Sequence, residues 1–423
     1  MQKHSFSLIA FLISLGCYAQ DTYRALFLGN SYTYVNNLPQ MITDMAASTG
    51  NVFIYDSNAP GGYTLQGHSS NATSLAKIAI GNWDYVVLQE QSQLPSFPIS
   101  QVQTDVFPFA KMLDSTINAD NPCAETVFYM TWGRKNGDAS NCASWPPVCT
   151  YAGMDSLLDL RYRMMADSNN AIVSPVGRVW NYVRQLYPSL ELYQPDESHP
   201  SVAGTYVAAC TFYTVMFRKD PTAITFNSTL TPTDAANIRA AAKLIVFDSL
   251  MNWHVGEYDP IASFNAVVSG TNQVSFTNTS NNASSYLWYF GDGDSSLVSN
   301  PIHVYPTGGT YTVTFIATHC GISDTLVQAI TATPTAISPL EQVSASFYIY
   351  PNPASTSITI NHPFKGSLNY RIVNVLGAKQ KTGVLDKPEY SIELAALEDG
   401  VYFIQMYQNK RLLGQQKFVK ITE

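Results

Sequence analysis

The chain has 423 residues, a formal net charge of −8 and only 13% charged residues against 46% hydrophobic ones. That length exceeds what one hydrophobic core serves, so two to four domains are expected. No basic stripe or Lys/Arg cluster is present, which argues against nucleic acid as a partner.

The chain opens with Met1-Gln-Lys-His4 and an apolar run from Phe6 to Gly16, the charged and apolar parts of a secretory signal peptide. Cys17-Tyr18-Ala19 offers small residues for cleavage, making residues 1–19 the signal and Gln20 the expected mature N-terminus. A lipid-modified Cys17 is the competing reading, although Ser14 and Leu15 match the usual lipobox poorly. No other segment is apolar and long enough to span a membrane.

Short apolar strands are expected at 24–28, 51–55, 85–88, 126–130 and 171–174, with helical patterns between them. This is the alternation of a doubly wound α/β fold, whose sheet is buried on both faces and binds ligands at its carboxyl edge. The first strand stops at Gly29-Asn30-Ser31, and Leu38, Met41, Ile42, Met45 and Ala46 then recur at helical spacing. Ser31 therefore sits where a buried strand hands over to a helix whose free N–H groups can meet a developing anion. Taken alone, a serine there reads as a helix cap. After the fourth strand, Thr131-Trp132-Gly-Arg134 faces the expected cleft, where Trp132 could stack on a sugar ring and Arg134 could bind a carboxylate. The competing readings are packing for Trp132 and a surface ion pair for Arg134.

Further on, Pro195-Asp196-Glu-Ser-His199-Pro200 supplies a base and a carboxylate in a stiff loop before a helix beginning near Ser201. A serine hydroxyl needs a base to be nucleophilic, and a carboxylate can orient the imidazole. By itself the motif also reads as a capped turn with a surface histidine. The stretch from Thr231 to Trp253 carries Ala236, Ile238, Ala241, Leu244 and Ile245 at helical spacing and is expected to close the domain.

Five cysteines remain after Cys17: Cys123, Cys142, Cys149, Cys210 and Cys320. An odd count leaves at least one unpaired or intermolecular. Cys142 and Cys149 flank a short Pro-rich turn and are the best disulfide candidates, whereas Cys210 falls in an apolar helix as a buried small residue. Neither C-x-x-C nor H-E-x-x-H occurs, so no metal is expected.

Gly29-Asn30-Ser31 with Thr33, the Gly61-Gly62-Tyr63-Thr64 turn and Asp196-x-x-His199 resemble blocks one, two and five of the SGNH (GDSL-type) hydrolases, in the family's order. The resemblance covers residues 22 to 253. It implies a three-layer α/β/α, flavodoxin-like fold with Ser31 as nucleophile, His199 as base and Asp196 as its partner. It also implies an oxyanion hole from the N–H groups of Ser31 and Gly62, the glycine being needed for close approach of the chain, and no cofactor. The third block departs from the family's G-x-N-D. The strand runs into Gln89-Glu90-Gln91-Ser92, which puts Gln91 where the asparagine donor belongs, with Gln89 as its rival. Asn30 stands where many relatives carry Asp, and reads as a structural group bonding loop backbone.

Beyond residue 258 the helical period gives way to β alternation. Trp288-Tyr-Phe-Gly-Asp-Gly293, Asn300-Pro-Ile-His-Val-Tyr305 and Gly309-Thr-Tyr311 resemble the PKD domain over 261–333, which implies an immunoglobulin-like sandwich. A linker follows at 334–346. Tyr350-Pro-Asn-Pro353, Asn374-Val-Leu-Gly377, Leu397-Glu-Asp-Gly-Val-Tyr-Phe403 and Lys417-Phe-Val-Lys420 resemble the C-terminal sorting domain of type IX secretion, placed at 347–423. That likeness implies a second β-sandwich and the export machinery of a Gram-negative outer membrane as partner. The whole is expected to be a secreted or surface-held serine esterase. Its substrate would be an ester, first an O-acetyl group on a glycan. A lipid or aryl esterase, or a catalytically silent glycan-binding protein, are the alternatives.

Overall fold

The computed structural model describes residues 20–333, 347–409 and 411–422, so the signal segment and the linker at 334–346 lie outside the described residues. The chain divides into two compact units, the first formed by residues up to 261 with 281–284 and 317–324, the second by the rest.

In the first unit, β1 (Thr22–Leu28), β2 (Val52–Asn58), β3 (Tyr85–Leu88), β4 (Glu125–Tyr129) and β5 (Ile172–Ser174) form a parallel sheet in the order β2-β1-β3-β4-β5. Every residue of β3 and β5 is buried, as expected of strands covered on both faces. Ten helices connect and cover them: α1 (Ser31–Tyr34), α2 (Leu38–Ser48), α3 (Leu65–Ser70), α4 (Ala72–Ile78), α5 (Ile99–Asp105), α6 (Phe107–Asp120), α7 (Tyr151–Asn169), α8 (Val176–Leu186), α9 (Val202–Phe217) and α10 (Pro232–Ile245). Helices α2, α8 and α10 pack on α9, while α3, α4, α5 and α7 pack on α6. The result is a three-layer α/β/α arrangement with the flavodoxin-like strand order. Helix α9 is apolar nearly all round and buried from Ala203 to Phe217. Thr211 and Thr214 return their hydroxyls to the helix, to the Val207 carbonyl at 2.8 Å and the Cys210 carbonyl at 2.7 Å.

The closing helix is shorter than its apolar period suggests. It ends at Ile245, and Phe247–Trp253 continues as a kinked 3-10 segment, broken at Ser249. Trp253 folds back there and donates its indole N–H to the Ile245 carbonyl at 2.9 Å. Cys142 is bonded to Cys149, Cys123 to Cys320, and Cys210 is free and buried.

The second unit is antiparallel. In the segment from Phe264 to Ala332, β6 (Phe264–Gly270), β7 (Gln273–Asn278) and β10 (Ile302–Val304) form one sheet in the order β10-β7-β6, and β8 (Ser285–Tyr289), β9 (Ser295–Ser296), β11 (Gly309–His319) and β12 (Ile322–Ala332) another in the order β12-β11-β8-β9. Trp288 stacks on Phe315 with centroids 3.9 Å apart, and Phe264 packs edge-on against both. The Gly291–Gly293 turn is tied down by Asp292, which accepts a 2.7 Å hydrogen bond from His303. From Tyr348 to Lys420 a second pair of sheets follows: β13 (Tyr348–Tyr350), β14 (Ser357–Asn361) and β17 (Glu389–Glu393) in the order β13-β14-β17, and β15 (Leu368–Asn374), β16 (Lys379–Leu385), β18 (Gly400–Gln408) and β19 (Arg411–Lys420) in the order β16-β15-β18-β19. Their core includes Ile358, Ile360, Ile372, Ile404 and Phe418.

Candidate active site

Ser31 is the first residue of α1, directly after β1, with Asn30 as the N-cap. The turn that presents it is built for close contact: a Cβ on Gly29 would lie 2.4 Å from Thr33 Oγ1 and 2.7 Å from Gln89 Oε1. Asn30 is buried and spends its whole side chain on structure. Its Oδ1 accepts from Tyr32 N–H and from Gln89 Nε2, while its Nδ2 donates to the carbonyls of Tyr63 and Glu90. The nucleophile loop is thus pinned to the loops after β2 and β3.

Gln89 and His68 complete this support. Gln89, fully buried, accepts from Asn30 N–H at 3.0 Å and Thr33 Oγ1–H at 2.9 Å. Its amide hydrogens go to Asn30 Oδ1 and the Glu90 carbonyl, so the rival to Gln91 has no donor left for a substrate. His68, also fully buried, places Nε2 2.9 Å from the Gly29 carbonyl and Nδ1 2.7 Å from Ser74 Oγ. A carbonyl can only accept, so Nε2 carries the hydrogen; burial lowers the ring's pKa and favours this neutral form. No local pattern in the sequence points to either partner.

His199 reaches Ser31 from the loop before α9. Its Nε2 lies 2.8 Å from Ser31 Oγ, and its Nδ1 is hydrogen-bonded to Asp196 Oδ2. Asp196 Oδ1 accepts the N–H groups of Ser198 at 3.1 Å and His199 at 3.0 Å. Desolvation raises the Asp196 carboxyl, but the ring and these two N–H groups outweigh it and hold its pKa below the ordinary carboxylate value. The loop passes through a left-handed residue, Glu197 at φ +61°. That costly backbone is held by Lys135 N–H on the Glu197 carbonyl and Asn136 Nδ2 on its carboxylate, both at 2.9 Å.

The expected oxyanion donors sit on separate loops. Gly62 adopts φ +67°, and a Cβ there would meet no protein atom within 4 Å. Its glycine is therefore required by the left-handed backbone rather than by close approach of the chain. Gln91 is half-buried, and its Oε1 accepts from Gln93 N–H at 2.8 Å and Leu94 N–H at 3.2 Å. Its Nε2 gives one hydrogen to Gln93 Oε1 at 3.0 Å; the second has no acceptor among the described residues. Gln93 is anchored in turn on the buried Asp138, with Nε2 2.6 Å from its carboxylate.

Trp132 does not face the cleft. It is fully buried, stacked between Tyr32 at 4.7 Å and Trp180 at 3.9 Å, with its indole N–H on the Ser198 carbonyl. Neither face is open to a sugar, which corrects the expectation for this residue. Arg134 is partly exposed and already paired with Asp138 at 3.2 Å. Among the described residues, one group of three potential metal ligands comes together, Asp292, Asp294 and His303, in the second unit rather than beside Ser31.

The first unit is thus a doubly wound α/β domain with a Ser–His–Asp chain at the carboxyl edge of its sheet. Residues 258–333 match the PKD domain family, and residues 348–421 the secretion system C-terminal sorting domain. The first of these segments is similar to the PKD1 domain of a Vibrio cholerae metalloprotease, with 39% identity over 98% of that chain and 18% of this one (TM-score 0.17). By the two family matches, residues 258–333 are a PKD domain and the terminal segment marks the chain for type IX export to the cell surface or beyond. A DUF4886 family protein from Bacteroides uniformis shares 16% identity over 55% of this chain and 95% of its own (TM-score 0.48). A putative SGNH hydrolase from Slackia heliotrinireducens shares 26% over 46% and 100% (TM-score 0.39). A comparison with curated proteins finds no match.

Proposed function

We propose that this chain is an exported serine esterase, and the observation that carries the reading is the 2.8 Å contact of Ser31 Oγ with an imidazole backed by Asp196. Ser31 Oγ attacks the acyl carbon while His199 Nε2 takes the hydroxyl proton. Asp196 keeps the hydrogen on Nδ1 and stabilises the imidazolium. The tetrahedral oxyanion is met by the N–H groups of Ser31 and Gly62 and by the remaining Nε2 hydrogen of Gln91. Collapse expels the alcohol, which takes its proton from His199. A water molecule activated by the same base then releases the acid and restores Ser31.

The substrate is an O-acyl ester, in the first place an acetyl ester of a carbohydrate. Support for the sugar comes from export and from the PKD neighbour, an argument from company rather than from site chemistry. Purified protein should hydrolyse an aryl acetate and release acetate from an acetylated polysaccharide. Aryl ester turnover without polysaccharide deacetylation would move the substrate to lipid or aryl esters. Inactivity on all of them would favour a silent binding protein.

A further inference from the structure

Resting on that reading of Ser31 and His199, we infer that Tyr32 and Ser198 are positioning residues that set the nucleophile and the base in register through one buried hydrogen bond seated on an aromatic stack. Each is the immediate chain neighbour of a reacting residue. Tyr32 follows Ser31 in α1, and Ser198 precedes His199 in the base loop. Tyr32 OH and Ser198 Oγ lie 2.6 Å apart, across 166 residues of sequence, and both residues are buried.

The bond has a rigid seat. Tyr32 stacks on Trp132 with an interplanar angle of 5°, and Trp132 stacks on Trp180 at 3°. Trp132 also donates its indole N–H to the Ser198 carbonyl at 3.2 Å, so residue 198 is held by both its side chain and its backbone. The His199 and Tyr32 rings form a T-shaped pair, with centroids 5.4 Å apart at 69°, which limits the tilt of the imidazole. Burial raises the Tyr32 pKa, against the pull of the Ser198 and Ser92 hydroxyls, so the phenol stays neutral, and either hydroxyl can donate in this contact.

The base loop needs such a tie. Asp196 and His199 are both partly exposed, and the loop between them contains the left-handed Glu197. Without the Tyr32–Ser198 bond, Ser198 would keep its backbone bonds to the Trp132 indole and to Asp196 but lose its side-chain link to α1. The separation of Ser31 Oγ and His199 Nε2 would then be free to widen. Since misplacement of a reacting group by about 1 Å costs on the order of 10²-fold in rate, a partial loosening is expected to cost about tenfold.

Tyr32→Phe and Ser198→Ala remove one hydroxyl each and leave the stack in place. The test compares them with wild type in fluorophosphonate labelling rate, in kcat and KM on an aryl acetate, and in thermal unfolding. Each variant should label and turn over about tenfold more slowly with KM nearly unchanged, and the double variant should lose no more than the worse single one. Unfolding temperatures close to wild type would show that the loss is one of positioning. Variants that label and turn over at the wild-type rate would overturn the inference, as would losses confined to KM or matched by unfolding at the assay temperature. A wild-type protein that does not label would bring down the esterase reading and this inference with it.

Discussion

If the second amide hydrogen of Gln91 meets the oxyanion, Gln91→Ala should lower kcat by about 10²-fold with little change in KM, because the interaction exists only in the transition state. Gln89→Ala should behave differently. It leaves the buried Asn30 N–H and Thr33 hydroxyl without their acceptor, so the expected result is destabilisation on the order of 3 kcal/mol in denaturant unfolding. A kcat loss without destabilisation in Gln89→Ala would contradict this division. Between these two glutamines, Glu90 is fully buried, and among the described residues its carboxyl accepts the N–H groups of Leu65 and Gln91. Burial pushes its pKa from 4.5 to about 8, although the two N–H groups pull the other way. The folded state therefore holds this proton where the unfolded chain has released it. Stability from this group is complete below about pH 4.5 and is lost as pH rises to about 8, at up to about 1.4 kcal/mol per pH unit. Glu90→Gln should remove that slope, and identical stability–pH curves for variant and wild type would refute the assignment. The sequence displayed Ser31, Asp196 and His199 because their motif carries the chemistry. It did not display the struts, because a polar residue at a strand end says nothing about which loop it will bond.

At the scale of elements, β3, β4 and β5 were readable because each is a short apolar run buried on both faces, whereas β2, at the sheet edge, is mostly half-buried. Trp132 was not readable, because a loop leaving the carboxyl edge looks open in sequence. Here it folds under the base loop and inserts its indole between Tyr32 and Trp180. Trp132→Ala should accordingly act as a core truncation, costing about 3–5 kcal/mol of stability. A variant as stable as wild type, with only KM raised, would return Trp132 to the cleft. The cysteines divide in the same way. Cys142 and Cys149 are 7 residues apart around one turn, whereas Cys123 and Cys320 are separated by 197 and leave no local trace.

For the molecule as a whole, the modules divide the work. The α/β domain holds the Ser–His–Asp chain, the PKD domain follows it, and the terminal sandwich at 348–421 is the export signal. Deleting residues 348–421 should retain the protein inside the cell envelope while leaving esterase turnover of the purified remainder intact. Undiminished export of the truncated chain would contradict the sorting role. The proposed activity depends on one hydroxyl, that of Ser31. The most direct measurement treats the purified protein with a fluorophosphonate and locates the adduct by peptide mass spectrometry. A single adduct on Ser31, absent from Ser31→Ala, with aryl acetate turnover in that variant reduced by on the order of 10⁴-fold, is the predicted result. An adduct on another residue, or turnover that survives Ser31→Ala, would contradict it.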